Sequence, residues 1–387
     1  MTTTTLQRVR ALAPTIRHRS DEIEHARRLP LDLVDDLRTV GCFRMHVPVR
    51  YGGDELTLSE TLEVIEELAC ADGSTGWSVM IGCDTPVLLG RLPEPTFEAI
   101  YAAGPDVIGG GSLAPKGQAV PVDGGYCISG RWSFASGCQH ADWLVTHAVV
   151  VANGQPRLLP NGLPDMRVAV FPASEVEIVD TWQVAGMQGT GSHDICLRDS
   201  YCPAERTFTL FGGLPSLAGA AFAIPILSEL ALHQAAVALG IGRGALDDVA
   251  ELAGGGKRRV FAAHRLAESA VFQDTLGEAD ATLRAARALL RTEADAAWAK
   301  ASRGEVFSLL ERARLRATAS QVVRMATQVV DAAYTAGGGT AIYASSPLQR
   351  RLRDIHVQGQ HIGVSRDAFA HVGALLAGEE LDPRLPL

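Results

Sequence analysis

Hydrophobic residues recur at helical spacing in the first hundred residues. Leu62, Ile65 and Leu68 lie three apart within SETLEVIEELA, so their side chains share one face of a helix. Ser59 precedes this run and is the predicted N-cap. The stretch PVRYGGDEL before it carries turn-forming residues and is predicted to be a loop. Segment 1–106 is therefore predicted to form an N-terminal helical domain.

Between residues 107 and 213 the pattern changes from helical spacing to short runs of β-branched and aromatic residues. Examples are DWLVTHAVVV and RVAVFP, and the turn sequences DGG and NG separate such runs. This pattern is typical of strands joined by tight turns. Segment 107–213 is therefore predicted to be a small antiparallel β domain.

The remainder of the chain, residues 214–387, returns to helical periodicity. Its long stretches are rich in Ala, Leu and Arg, as expected for the antiparallel helices of a bundle, and GGG sequences at 254–256 and 337–339 interrupt them. The predicted fold class is mainly α with a central β domain. The order is N-terminal helices, a β-barrel-like middle domain and a C-terminal four-helix bundle.

Composition narrows the class of protein. The chain has 387 residues, of which 47% are hydrophobic and 20% charged, so it can bury a large core. A net charge of −9 and the absence of a long basic run argue against nucleic acid or an anionic membrane as partners. The cysteine number is odd, at seven, and no CxxC pair, signal peptide or transmembrane run is visible. We therefore expect a cytoplasmic protein with reduced thiols.

Two familiar ligand motifs fail on inspection. GIGRGALDD begins like a dinucleotide-binding loop, but Ala245 replaces the third glycine and no strand precedes it. No HExxH is present, and His356 and His361 would lie about 140° apart around a helix, too far to share one ion. We expect no metal site.

Four longer stretches, in this order along the chain, resemble one family. They are ADGSTGWSV (71–79), GRWSFASGCQHADW (130–143), DTWQVAGMQGTGSHDI (180–195) and SSPLQRRLRDIHVQGQHI (345–362). Together with the α-β-α texture they resemble the two-component (group D) flavin-dependent monooxygenases of the acyl-CoA dehydrogenase superfamily. The resemblance covers nearly the whole chain and implies an acyl-CoA dehydrogenase-like fold.

The same resemblance implies an activity and its partners. A homotetramer would bind reduced FAD or FMN, which a separate NAD(P)H flavin reductase supplies. Oxygen would form a flavin C4a-hydroperoxide and pass to a small electron-rich aromatic or indole-like substrate. N-oxidation and S-oxidation are alternatives within the family. An acyl-CoA dehydrogenase and a flavin-free helical binding protein are competing hypotheses.

Cofactor-binding residues follow from the matching motifs. The resemblance implies that these are Ser112, Phe134, Ser136, Arg258, Gly337, Gly338 and Gly339. Phe134 would lie beside the isoalloxazine ring, and Ser136 would approach flavin N5, where a hydrogen bond prolongs the hydroperoxide. Arg258 lies three residues before Phe261 in an R-x-x-F pattern that binds the flavin phosphate of the adjacent subunit.

The implied catalytic residues are His361 and Ser136. In the dehydrogenases, a glutamate about nine residues after the arginine of an RD pair removes the substrate proton. No Glu occurs between Tyr343 and Gly378 here, whereas His361 lies eight residues after Arg353, where the monooxygenase branch has a histidine. Imidazole can hold or deliver a proton near neutral pH.

Substrate contacts are assigned to Trp77, Asp84 and His140. Some phenol-hydroxylating members carry a substrate-binding histidine shortly after GSTGW, but this chain has Cys83, Asp84 and Thr85 there. A simple phenolate is therefore not the favoured substrate. Some dehydrogenases take their catalytic glutamate from a bundle helix. Glu229 falls within one residue of that alignment, which keeps the dehydrogenase alternative open.

Overall fold

The computed structural model describes residues 3–258 and 260–382. Its N-terminal part is helical, as the sequence predicts. The helices there are α1 (Thr5–His18), α2 (Ser20–Ala26), α3 (Leu31–Thr39), α4 (Leu58–Ala71), α5 (Gly73–Leu89) and α6 (Glu94–Tyr101). Helix α5 is buried along almost its whole length, between α4, the sheet and the C-terminal helices. It therefore carries side chains directly into the interior.

The N-cap of α4 is Thr57, so the prediction of Ser59 was wrong. The Thr57 hydroxyl accepts a hydrogen bond from the backbone N–H of Glu60, and the Glu60 carboxylate accepts one from the backbone N–H of Thr57. This reciprocal pair is a capping box, and it satisfies two donors at the helix start. The helix therefore begins at Leu58, one residue before the predicted cap.

A single twisted sheet forms the middle of the chain. Its strands are β1 (Gly109–Val122), β2 (Gly125–Trp132), β3 (Trp143–Ala152), β4 (Gln155–Pro156), β5 (Met166–Pro172), β6 (Glu177–Val179), β7 (Asp194–Pro203) and β8 (Thr207–Phe208). The strand order is β6-β7-β2-β1-β3-β5-β8, with β4 paired to β3. Inward-facing residues of β1, β2, β3, β5 and β7 form its own apolar core.

The sheet is mixed rather than purely antiparallel, which corrects the prediction. Strands β1 and β3 run parallel, with Gly109 opposite Trp143 at the start of the pairing. The segment 133–142 after β2 carries the chain across the β1–β2 hairpin, so that β3 joins the far edge of β1 in the same direction. This crossing segment contains residues assigned to the functional site.

The C-terminal part is a bundle of long helices. They are α8 (Ile226–Gly254), α9 (Ala270–Ser302) and α10 (Leu309–Gly337), accompanied by the shorter α7 (Ala220–Ala223), α11 (Pro347–Gln358) and α12 (Asp367–Leu376). Helix α8 is central, because it packs against α4, α5, α9, α10 and α11. None of the described helices and strands crosses the predicted domain boundaries at 106/107 and 213/214. The boundaries themselves stay a prediction.

The two C-terminal histidines do not share a helix, contrary to the geometry assumed from sequence. Helix α11 ends at Gln358. His361 lies beyond the helix and is the N-cap of a short 3₁₀ turn, Ile362–Val364. His356 remains on the exposed face of α11, with Nε2 2.9 Å from a carboxylate oxygen of Asp331.

Within the described part of the chain, no helix is both long and apolar enough to cross a membrane.

Candidate active site

Helix α5 brings an indole to the crossing segment after β2. Its first turn is fixed by Asp72, whose carboxylate accepts the backbone N–H of Thr75 at 2.8 Å. One turn further, the Trp77 indole N–H donates to the Ser136 hydroxyl at 3.0 Å. Both residues are buried. The structure therefore brings together one predicted substrate-binding residue and one predicted catalytic residue.

Ser136 begins a chain of three hydroxyl groups, which we call the hydroxyl chain (Ser136, Ser192 and Thr190). The Ser136 and Ser192 oxygens lie 2.7 Å apart, as do those of Ser192 and Thr190. Thr190 donates to the carbonyl oxygen of Met187 at 2.8 Å. Because the last donor is fixed, Ser192 donates to Thr190, and Ser136 donates to Ser192.

The direction of the hydroxyl chain determines what Ser136 can offer a ligand. Its proton is committed to Ser192, and one of its lone pairs accepts the Trp77 N–H. One lone pair remains, so the Ser136 side chain can only accept a further hydrogen bond. Sequence reasoning missed Ser192 and Thr190, although both lie within the GTGSHD part of a motif used for the resemblance.

An exposed aromatic surface lies beside Ser136. Phe134 has φ of +61° and its side chain is 66% exposed. A left-handed backbone is uncommon for a bulky residue, and such strain concentrates at functional sites. The Phe134 ring meets Trp182 edge to face, with centroids 6.1 Å apart. His193 Nδ1 accepts the backbone N–H groups of Thr181 and Trp182, which fixes Trp182 in this position.

His361 reaches the same region from the end of α11. Its ring lies edge-on to Trp77, with centroids 5.5 Å apart. Its Nδ1 accepts the backbone N–H of Gly363 at 3.0 Å, so this nitrogen carries no proton and Nε2 carries it in the neutral ring. Desolvation by surrounding protein lowers the pKa of His361, although solvent still reaches the ring in the single chain. His361 is therefore a neutral Nε2–H donor at pH 7.

Ser112 lies on β1 next to Ser136. The backbone N–H of Gly111 lies 3.4 Å from the Ser136 carbonyl oxygen, in an isolated bridge. Gly111 has φ of +125°, and a Cβ there would lie 2.1 Å from the carbonyl oxygen of Val145. The glycine is therefore explained by packing against β3 rather than by close approach to a cofactor ring.

Arg258 and the glycine loop Gly337–Gly339 form a second group of predicted cofactor residues. Lys257 Nζ hydrogen-bonds to the Thr340 hydroxyl, which joins the two segments. Arg258 is exposed, and its only hydrogen bond within the described residues is a long one to the Ala263 carbonyl oxygen at 3.5 Å. Among the described residues, no hydrogen bond found in the structure connects either segment directly to Ser136 or His361.

His140 is half-buried in the crossing segment, and its Nε2 atom is buried and has no hydrogen-bond partner among the described residues. Desolvation, reinforced by Arg28 and Arg38, lowers the pKa of His140 to about 4. Described hydrogen bonds do not join its ring to Trp77 or His361. Its contact with substrate stays a prediction.

Asp84 belongs to a separate group that we call the buried acid–imidazole cluster (His46, Asp84, Glu229 and His233). All four side chains are buried, and Asp84 accepts a hydrogen bond from His233 Nδ1. Desolvation raises the pKa of Glu229 well above its usual value and lowers that of His46. Sequence reasoning missed His46 and His233; the one local signal was the four-residue spacing of Glu229 and His233 on α8.

Asp84 lies seven residues after Trp77 on α5, which is about 10 Å along the helix axis and two turns on the same side. Asp84 is therefore about two helical turns from Trp77 along α5, and no described hydrogen bond joins the two side chains. The predicted contact between Asp84 and substrate also stays a prediction.

Known proteins agree with this architecture. Residues 4–89 match the acyl-CoA dehydrogenase N-terminal domain, and residues 232–366 match the acyl-CoA dehydrogenase C-terminal domain. An indole-3-acetate monooxygenase of Pseudomonas putida is 34% identical over 94% of this chain and 91% of its own length. The oxygenase component of an FADH2-dependent resorcinol hydroxylase of Rhizobium sp. is 32% identical, over 96% and 94% respectively.

Solved structures give the same result. The 3-HSA hydroxylase of Rhodococcus sp. RHA1 superposes with a TM-score of 0.90 at 29% identity, over 98% of this chain and 97% of that one. XiaF of Streptomyces sp., solved with FADH2 and glycerol, superposes with a TM-score of 0.89 at 26% identity, over 99% and 96%. The chain belongs to the flavin-dependent monooxygenases of the acyl-CoA dehydrogenase superfamily. The acyl-CoA dehydrogenase alternative is not favoured, because these relatives are monooxygenases.

The residues present fit a flavin. Phe134 gives an exposed aromatic ring that rests against the buried Trp182, Ser136 gives an acceptor near it, and His361 gives a donor beside Trp77. A planar ring system with polar edges needs these three kinds of contact. The side chains at this site therefore suit the flavin cofactor that the family uses.

Proposed function

We propose that this chain is the oxygenase component of a two-component system that hydroxylates an electron-rich, indole-like aromatic compound. The observation that carries the proposal is the convergence of Trp77, Ser136 and His361 in a member of this family. Two relatives named indole-3-acetate monooxygenase, at 34% and 32% identity, support the indole-like ring. An N- or S-oxidising activity is the alternative.

Reduced flavin, when bound, activates oxygen and supplies one oxygen atom to the substrate. The protein residues supply position and protons. Ser136 would accept a hydrogen bond from a donor on the flavin edge, because its own proton is held by Ser192. His361 would donate from Nε2 to an oxygen atom or to the substrate. Trp77 holds Ser136 and lines the wall next to His361.

The cofactor proposal is reduced FAD rather than FMN. The names of the resorcinol hydroxylase and of the XiaF complex both specify FADH2, and these two proteins are 32% and 26% identical to this chain. Phe134 and Ser112 would contact the ring, while Arg258 and Gly337–Gly339 would contact the phosphate-bearing part from a neighbouring subunit. The relatives' names, which specify an oxygenase component or subunit, support a separate NAD(P)H flavin reductase.

The assembly proposal is a homotetramer. Val260 and Phe261, which adjoin Arg258, are almost fully exposed in the single chain, as are Ile342 and Tyr343 in large part. Exposed apolar residues grouped near a cofactor segment support burial against another copy. A cytoplasmic location is also proposed, and the seven unpaired cysteines support it.

Incorporation of ¹⁸O tests the proposed activity. The purified chain, a flavin reductase, NADH and FAD are incubated under ¹⁸O₂ with indole-3-acetate, resorcinol or an amino sugar. The expected result is one ¹⁸O atom in the indole product and none when the chain is omitted. NADH consumption that yields only hydrogen peroxide with every substrate would contradict the proposal.

The matched dehydrogenase test uses the same preparation. Oxidised flavin bound to the chain is mixed anaerobically with a series of acyl-CoA thioesters. We expect no loss of flavin absorbance, because His361 and not a carboxylate lies beside Trp77. Bleaching by a thioester would establish the dehydrogenase alternative.

A further inference from the structure

The buried acid–imidazole cluster has the composition of a metal site. His46 comes from the loop between α3 and α4, while Glu229 and His233 lie one turn apart on α8. Their potential ligand atoms all lie within 4.8 Å of one another. The rings of His46 and His233 are 5.3 Å apart between centroids. Three ligand side chains from two separate elements therefore converge in the interior.

Five polar atoms of this cluster have no hydrogen-bond partner among the described residues. They are both ring nitrogens of His46, Nε2 of His233 and both carboxylate oxygens of Glu229. Folded proteins rarely leave one buried polar atom unsatisfied, since its lost hydration is not replaced. Each of the three residues has at least one such atom, and one potential ligand atom from each lies within 4.8 Å of the other two, which indicates a bound occupant.

The carboxyl groups of the cluster indicate what kind of ion or molecule would bind there. Asp84 and Glu229 contribute two carboxylates, and neither forms an ion pair with Lys or Arg within the described residues. A buried carboxyl group is accommodated either as the neutral acid or beside a cation. A divalent cation can bind the Glu229 carboxylate and both imidazoles at once and holds the carboxylate in its charged form.

The contact between Asp84 and His233 points to the same occupant. Because Asp84 accepts from Nδ1–H of His233, the lone pair of this ring lies on Nε2, facing His46 and Glu229. A carboxylate that orients a histidine through its other nitrogen is the usual support of a metal ligand. Asp84 therefore orients the His233 ring and does not itself need to bind the ion.

We propose that His46, Glu229 and His233 bind one divalent transition-metal ion, Zn²⁺ by preference, with Asp84 as the positioning residue. Two imidazoles and one carboxylate suit Zn²⁺, and three protein ligands leave a fourth position for water. Ca²⁺ and Mg²⁺ prefer oxygen ligands and fit the site less well. The proposal does not depend on the oxygenase activity.

The geometry requires only a small adjustment. Zn²⁺ bonds of about 2.0–2.1 Å place tetrahedral ligand atoms about 3.4 Å apart. The widest possible separation in the cluster is 4.8 Å, so the side chains close by no more than about 1.4 Å. Among the described residues, no hydrogen bond holds either nitrogen of His46, so its ring has no polar contact to give up on closing.

Metal analysis of the full-length chain tests the proposal directly. The protein is produced without a histidine tag in zinc-supplemented medium, desalted, and analysed by inductively coupled plasma mass spectrometry. We expect about one zinc per wild-type chain and less than about one tenth of that in Glu229→Gln and His46→Leu. Asp84→Asn is expected to bind about 10- to 100-fold more weakly. His356→Ala, which removes an exposed histidine paired with Asp331, is the matched control and keeps the metal.

Two outcomes would overturn the proposal. One is wild-type protein that contains no stoichiometric transition metal after expression with zinc and after refolding with zinc. The other is unchanged metal content in folded Glu229→Gln and His46→Leu. If the variants do not fold, anomalous diffraction from wild-type crystals at the zinc edge decides. A peak between His46, Glu229 and His233 supports the site, while water or substrate density without a peak refutes it.

Discussion

Replacing Ser136 by alanine should weaken the fold and uncouple the reaction together. The Ser136 hydroxyl is the acceptor for the indole N–H of Trp77 and the donor to Ser192. Alanine removes both contacts and leaves the Trp77 donor without a partner in a buried position. The structural cost is therefore larger than that of a typical serine deletion.

The magnitude follows from these contacts. An unsatisfied buried donor costs about 1–3 kcal/mol, and one lost neutral hydrogen bond costs about 1 kcal/mol. We expect a net loss of about 2–4 kcal/mol in the free energy of unfolding. With an unfolding entropy of about 2.1 cal/mol/K per residue and 387 residues, this lowers Tm by about 2–5 °C.

A double-mutant cycle with Trp77→Phe identifies the cause. Phenylalanine removes the indole N–H, so Ser136→Ala should cost about 1 kcal/mol less in that background. Urea unfolding followed by far-ultraviolet circular dichroism measures all four proteins. Ser133→Ala is the matched control, because the one side-chain hydrogen bond of Ser133 among the described residues is an exposed one from Lys116, and its loss should change stability by less than about 0.5 kcal/mol.

The same variants also test the effect of Ser136 on the reaction. Product formed per NADH oxidised should fall in Ser136→Ala and stay at the wild-type level in Ser133→Ala, because Ser136 and not Ser133 belongs to the hydroxyl chain beside Trp77. Equal stability of Ser136→Ala and Ser133→Ala, or additive effects in the cycle, would refute the hydroxyl chain as described.

Three other outcomes are expected. His361→Ala should lower product per NADH about tenfold or more, while the neighbouring control His356→Ala should not; equal coupling would remove the assigned role of His361. Burial raises the pKa of Asp354 to about 7. Between about pH 4 and 7 the folded chain keeps a proton on Asp354 that the unfolded chain has lost, so the free energy of unfolding falls as pH rises. Wild type should therefore lose stability relative to Asp354→Asn between pH 5 and 8, and parallel curves would contradict the shift. Phe261→Asp should reduce the native mass from four times 41.1 kDa, as measured by light scattering, whereas Val306→Asp should not.

Periodicity was sufficient to predict the order of the three parts of the fold. Helical spacing and strand alternation are local properties, so they survive in the sequence. The parallel pairing of β1 and β3 was not predicted, because alternation within a strand does not specify its neighbour. The cap at Thr57 was available in principle, since Glu60 follows it by three residues, but the later Ser59 was preferred.

The site was predictable only where a motif carries several residues together. Ser136 and His361 came from the family resemblance, and the structure brings both to Trp77. Ser192 lies 56 residues from Ser136, and the direction of their hydrogen bond depends on Thr190. Such a chain requires the folded arrangement of two loops. Sequence spacing contains no information about it.

The buried acid–imidazole cluster shows the same limit more strongly. His233 meets Asp84 across 149 residues, and His46 approaches from a third segment. A search for metal motifs in one element does not find ligands that are distributed in this way. The four-residue spacing of Glu229 and His233 is common on helices and is not specific enough alone.

Rapid mixing of the reduced flavin–protein complex with oxygen tests the central claim most directly. The account predicts a transient absorbance, distinct from both reduced and oxidised flavin, that decays faster when the aromatic substrate is present. It also predicts a shorter lifetime for this transient in Ser136→Ala than in Ser133→Ala. Direct conversion of reduced to oxidised flavin in the wild-type protein, with hydrogen peroxide as the sole product, would contradict the assignment as an oxygenase.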